Sequence, residues 1–241
     1  MKNRNTLRAL LPLILCTFCA LCAIYFGSKE VRAQSIVNFE TSLGDIEIQL
    51  FDNSRPISVD NFLTYVQGGT YDGTIFHRIQ NPSTQGIGIV QGGGFLTDGS
   101  SIPRLSPIIN EAATNLNPLN TRGTIAFART SVLDSATSEF FFNTVDNPGL
   151  DSQIFTVFGQ VISGMDVVDQ IQSLDTITAS GEINFDDLPV IDVNATDLIA
   201  ADNLAVLTSA TVITNVPESS SAILLTIVAT IGFARRDRRC R

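Results

Sequence analysis

The sequence predicts a mainly β fold, a closed β-barrel capped at its ends by two α-helices. Many short apolar stretches of strand length, Gly-rich turns between them, and only two stretches with helical spacing lead to that reading. Ile36 to Glu40 and Asp45 to Phe51 nearly alternate around Ser42-Leu43-Gly44, as two strands joined by a tight turn do. Arg55-Pro56 then breaks the strand. From Ile57 to Val66 the apolar residues Val59, Phe62, Leu63 and Val66 recur at helical spacing, and Gly68-Gly69 ends the run. Strands are expected at 74–79, 87–92, 124–129, 139–145 and 155–162, and a second helix from Met165 to Leu174. Two segments compete for the closing strand, Leu188 to Ile191 and Leu204 to Val212. The later one is favoured, which makes the acidic stretch between them an insertion.

Charge narrows the function. Ten of the fifteen Lys and Arg residues lie in the first 32 or the last seven positions. Between Gln34 and Pro217 five arginines face 21 acids, a net charge of about −16. Binding to nucleic acid is disfavoured, because phosphate contacts need a basic face. Cys16, Cys19 and Cys22 lie in an apolar run without His or acid nearby, a poor ligand cage, so no metal is expected there and no cofactor elsewhere. The acids Asp186, Asp187, Asp192 and Asp197 are read as a solvated loop in preference to a calcium site.

The ends read as targeting segments. Residues 1–33 have a basic start, an apolar run from Leu7 to Phe26 and Val31-Arg32-Ala33 before a cut by signal peptidase; an uncleaved N-terminal anchor is the alternative. Residues 215–241 carry Val216-Pro217-Glu218, an apolar run from Ala222 to Ala234 and the Arg cluster 235–239. This tail resembles a PEP-CTERM sorting signal with Ser219 in place of its second Pro. The resemblance implies removal by an exosortase and delivery to the cell surface or matrix of a Gram-negative bacterium. A plain C-terminal membrane anchor is the alternative. The central segment 34–214 is then one exported domain, a monomer by default.

The chemistry sits on Phe76-His77-Arg78-Ile79 and, after a loop, Ile89-Val90-Gln91-Gly92-Gly93-Gly94-Phe95. Arg78 offers fixed donors and Gln91 both donates and accepts, each beside apolar residues, a combination suited to gripping a peptide backbone. Arg122 to Arg129, Asp134 to Asn143, Phe155 to Ile162 and Gly164 to Asp169 follow in order. Together, from about Ser35 to Leu188, these blocks resemble the cyclophilin family of peptidyl-prolyl isomerases, the bacterial exported type most closely. The resemblance implies an eight-stranded antiparallel barrel that isomerises X-Pro bonds in proline-containing polypeptides. It assigns catalysis to Arg78 and Gln91, and substrate binding to Phe76, Ile89, Ala128, Arg129, Phe141, Leu150 and Phe155.

Several positions depart from the family pattern. Gly88 stands where many members have a pocket Phe and implies a wider wall, Glu139 replaces a Gln, and Phe155 replaces a His. Gly149 replaces a Trp or Phe, which implies weak cyclosporin binding. A barrel that binds Pro-containing surface proteins without catalysis is the alternative function. A Ser-His-acid hydrolase built on His77, the only His, lacks a Gly-x-Ser-x-Gly elbow, and Gly86-Ile87-Gly88 is no dinucleotide fingerprint.

Overall fold

The computed structural model describes residues 34–179, 185–191 and 201–216. The segment 1–33 expected to be a signal, the apolar C-terminal run with its Arg cluster, and Asp192 and Asp197 lie outside them. Among the described residues no helix is long and apolar enough to cross a membrane.

The strands are β1 (Gln34–Thr41), β2 (Gly44–Leu50), β3 (Thr74–Ile75), β4 (Arg78–Gln80), β5 (Ile89–Gly92), β6 (Thr124–Phe127), β7 (Phe140–Asn143), β8 (Val157–Ser163), β9 (Asp175–Ala179), β10 (Phe185–Val190) and β11 (Val206–Val216). Nine of them form one antiparallel sheet in the order β3-β11-β1-β2-β8-β6-β7-β5-β4. The two edge strands of that order are consecutive in the chain, so residues 74–80 are one interrupted strand that joins both ends of the sheet. On one side Phe76 N-H donates to Ala205 O at 2.9 Å, and on the other His77 N-H donates to Gln91 O at 3.0 Å. Counted this way the barrel has eight strands, and the exposed edge that an open sheet would leave is largely removed.

The later candidate for the closing strand is the correct one: β11 pairs with β1 from Gln34↔Val216 to Thr41↔Leu207. Leu188 to Val190 belongs instead to β10, which pairs with β9 in a separate two-stranded sheet. Leu188, Val190, Leu204 and Ile75 bury together and fix that small sheet against the barrel.

Among the described residues four α-helices are present rather than two: α1 (Pro56–Gln67), α2 (Pro82–Gln85), α3 (Pro148–Ser152) and α4 (Met165–Gln172). Both expected helices are α1 and α4. The additional two are single turns too short to show periodicity, and each has Pro at its start, where a missing N-H costs nothing. Helix α1 has no side-chain cap of its own. Its free amides are met from a distance, because the Glu111 carboxylate accepts from Ile57 N at 3.1 Å and Ser58 N at 2.8 Å. Arg55, just before it, is 1 % exposed and donates to the carbonyls of Val157, Asn115 and Asn117. This Arg is structural.

The barrel interior is aromatic. Phe39, Phe62, Tyr71, Phe76, Phe140, Phe142 and Phe158 are all buried in the main core. A second, smaller core forms on the outer face of the sheet from Ile89, Ala126, Phe141, Leu150 and Val157. The run Phe140-Phe141-Phe142 shows how both arise: alternation sends Phe140 and Phe142 inward and Phe141 out.

Candidate active site

The outer core floors a cleft of about 240 Å³ lined by Arg78, Gln80, Ile87, Ile89, Gln91, Ala128, Arg129, Phe141, Leu150, Gln153 and Phe155. Strand register builds it. Arg78 pairs with Gln91, Gln91 with Phe141, and Phe141 with Ala126, so these four form one row across β4, β5, β7 and β6. Residues opposite one another in such a row hold their Cβ atoms about 4.5–5.5 Å apart. A guanidinium, a carboxamide and an aromatic face are thereby set side by side on a rigid sheet.

Of the nine residues assigned from sequence, eight line this cleft: Arg78, Gln91, Ile89, Ala128, Arg129, Phe141, Leu150 and Phe155. Phe76 does not. It is 1 % exposed and packs in the barrel interior near Phe140 and Phe142. Period-two counting puts Phe76 on the face of Arg78, but the strand is interrupted between Ile75 and Arg78, and the break shifts the phase. Gly88 is a second correction. A Cβ there would meet Thr144 Oγ1 at 2.5 Å, and its backbone is held by Asn147 and Thr144, so Gly88 leaves no gap in the cleft. Ile87 supplies the wall instead. Gly149 borders open space, with nothing within 4 Å of a Cβ.

The polar side is organised by Glu139. Its Oε2 accepts from Gln91 Nε2 at 2.9 Å and lies 3.5 Å from His77 Nε2, while Oε1 accepts from Arg104 at 3.1 Å. A carboxylate only accepts, so it takes the NH₂ end of the Gln91 amide and leaves the carbonyl end for a substrate N-H. Burial works to raise the Glu139 carboxyl, but His77 above all, then Gln91 and Arg104, outweigh it and hold it below the ordinary carboxylate range. The stabilisation is therefore full above the unfolded-state pKa and is lost as pH falls through the lowered folded one. In urea titrations, the stability difference between wild type and Glu139→Gln at pH 5 is expected to shrink progressively below about pH 4. An unchanged difference down to pH 2 would contradict this account.

The other side of the cleft is apolar. Phe155 meets Phe141 edge-on at 5.7 Å, and the Arg129 guanidinium lies 4.6 Å above the Phe155 ring. Arg129 also donates to Thr130 O at 2.8 Å and to Gln153 O. Among the described residues, by contrast, the Arg78 side chain has no hydrogen bond or ion pair, although its neighbour His77 is clamped between Phe95 and Phe185. Gln80, Ile87 and Gln153 were not singled out from sequence. Gln80 follows from Arg78 by alternation, and Ile87, though outside any strand, lies in the expected strand 87–92 at the same period as Ile89, whereas Gln153 follows a single-turn helix that no periodicity marks. No group of three or more potential metal ligands occurs among the described residues.

Comparison with known proteins agrees with this geometry. Residues 36–194 match the family model "Cyclophilin type peptidyl-prolyl cis-trans isomerase/CLD". The chain is 46% identical over 167 residues to a "Peptidyl-prolyl cis-trans isomerase" of Acinetobacter baylyi, covering 68% of this chain and 85% of that one. It is 43% identical over 148 residues to "Peptidyl-prolyl cis-trans isomerase B" of Escherichia coli, covering 58% and 86%. A solved Cryptosporidium parvum cyclophilin type peptidyl-prolyl cis-trans isomerase aligns with a TM-score of 0.53 at 20% identity, over 76% of this chain and 99% of that one, and supports the fold. On the matched residues and the relatives' identity, the chain belongs to the cyclophilin-type peptidyl-prolyl cis-trans isomerase family.

Proposed function

We propose that the protein isomerises X-Pro bonds of exported proteins, with Arg78 assisting rotation of the prolyl amide. The observation that carries this is the row Arg78, Gln91, Phe141 across three strands, with the Arg78 charge unspent on any partner among the described residues. Rotation about an X-Pro bond meets a barrier of about 18–20 kcal/mol from amide resonance, while cis and trans differ by only about 0.5–1 kcal/mol. The reaction needs no nucleophile, metal or redox group. It needs an environment that prefers the twisted amide, whose nitrogen regains a lone pair. An N-H of Arg78 directed at that nitrogen stabilises the twist and has nothing to bind in the planar form. Gln91, its amide oriented by Glu139, holds the adjoining backbone, and Ile89, Phe141, Leu150 and Phe155 hold the proline ring.

Export rests on the sequence alone: the basic start, the apolar run from Leu7 and the small residue Ala33 ahead of the domain, with the Arg-flanked apolar tail behind it. These features support a protein released or anchored outside the cytoplasm, handled by signal peptidase and an exosortase. The activity is tested by following cis-to-trans relaxation of a neutral X-Pro tetrapeptide at low temperature with the full chain. Acceleration over buffer is the expected result. A folded protein that leaves the rate at the uncatalysed value would favour the non-catalytic binding barrel.

A further inference from the structure

Residues 34–216 contain no Lys and only five Arg: Arg55, Arg78, Arg104, Arg122 and Arg129. Two of them are consumed by the fold. Arg55 is buried under backbone carbonyls, and Arg122 makes a two-pronged pair with Asp169 at 2.9 and 2.6 Å. The other three all converge on one place. Arg78 and Arg129 line the cleft, and Arg104 and Arg129 line an adjoining recess of about 240 Å³ with Gln91, Ala128, Thr130, Ser135, Thr137 and Glu139.

Glu139 is the one acid lining either cavity. Arg129 is met by the Thr130 and Gln153 carbonyls and the Phe155 ring, all neutral, and its Nε is buried without a partner. Three guanidinium groups against one carboxylate leave about two uncompensated positive charges, inside a segment whose net charge is about −16. Among the described residues, the two arginines outside this place are each compensated, Arg55 by backbone carbonyls and Arg122 by Asp169. At physiological salt the Debye length is about 8 Å, so remote acids are screened while charges within the cleft act on a bound chain.

We infer that the cleft selects X-Pro segments carrying an acidic side chain close to the proline, and that the Arg104–Arg129 recess receives it. The inference rests on the isomerase reading of the cleft. Cleft and recess share Gln91, Ala128 and Arg129, so a chain whose proline lies against Phe141 and Leu150 passes the recess within about three residues, at roughly 3.3–3.6 Å each. The carboxylate of such a chain meets planar donors suited to two-point contact.

The test uses the full chain and fluorescent X-Pro peptides in which Glu, Gln or Lys is placed at each of the three positions on either side of the X-Pro pair. Relaxation rate and binding by anisotropy are both measured at 0.15 M salt. At one or more positions Glu should exceed Lys about tenfold in kcat/KM or affinity, with Gln between. Arg104→Glu should bring that ratio to one or below it. Equal values for Glu and Lys at every position, with the Gln peptides isomerised, would overturn the inference and leave the isomerase reading intact. If no peptide is isomerised, the isomerase reading fails, and the anisotropy ratio alone decides the charge preference.

Discussion

Replacing Arg78 by Ala is expected to lower kcat/KM for a neutral X-Pro peptide by about 10²–10³-fold, the range seen when one preorganised transition-state donor is removed. The reasoning is differential. Planar cis and trans amides offer the guanidinium no nitrogen lone pair, so its removal raises the barrier far more than it weakens substrate binding, and kcat carries most of the loss. Arg78→Lys should be impaired as well, because an ammonium on a flexible stem does not keep the fixed donor geometry. The side chain is half-buried and has no hydrogen bond or ion pair among the described residues, so its truncation should shift stability by no more than about 0.5 kcal/mol. Relaxation kinetics beside urea unfolding separate the two effects. A variant that keeps its rate would remove Arg78 from the mechanism.

The largest expected loss of stability belongs to Phe140→Ala, at about 3–5 kcal/mol. The Phe140 ring is fully buried and lies 5.5 Å from Phe39, 6.0 Å from Phe62, 5.5 Å from Tyr71, 6.5 Å from Phe76 and 5.8 Å from Phe142. It also covers Gly93, where a Cβ would come within 2.7 Å of its Cε1 and where φ is +77°. Removing the ring opens a cavity that five rigid neighbours on different elements cannot close together. A domain with the usual 5–15 kcal/mol of stability would lose a large share of it. Phe140→Leu fills much of the volume and should cost clearly less. Chemical denaturation measures both. Equal losses for Ala and Leu would mean that the cavity is not the cause.

These two variants probe opposite faces of the same sheet. Phe140 and Phe142 hold the barrel together from inside, and Phe141, between them, faces the cleft. The site therefore costs the barrel little of its interior; strand pairing sets the row of Arg78, Gln91 and Phe141, while Ala128, Arg129, Leu150 and Phe155 reach the cleft from segments outside the strands. Glu139 links the faces differently. It joins Gln91 to His77, which the small sheet β9–β10 covers through Phe185.

Local pattern was sufficient for much of this. Pattern located most of the strands, though not β9, the spacing of Val59, Phe62 and Val66 located α1, and the setting of Arg78 and Gln91 among apolar residues marked them as backbone-gripping groups. Those signals are legible because they depend on neighbours within a few positions. Register is different, since which residue of β7 stands opposite Gln91 depends on the closure of the entire barrel. Phe76 illustrates the limit: its strand is interrupted to serve both ends of the sheet, and no local period records that break. Ile87 and Glu139 took their roles from contacts across β5, β7 and the loop bearing Arg104, and the convergence of three arginines on the cleft and its recess joins residues 78, 104 and 129. The sequence by itself determined the fold class, the candidate pair Arg78 and Gln91, and the acidic character of the domain. Tertiary structure alone decided which faces those residues occupy and where the remaining positive charge collects, because side-chain alternation is a local property and strand pairing is a long-range one.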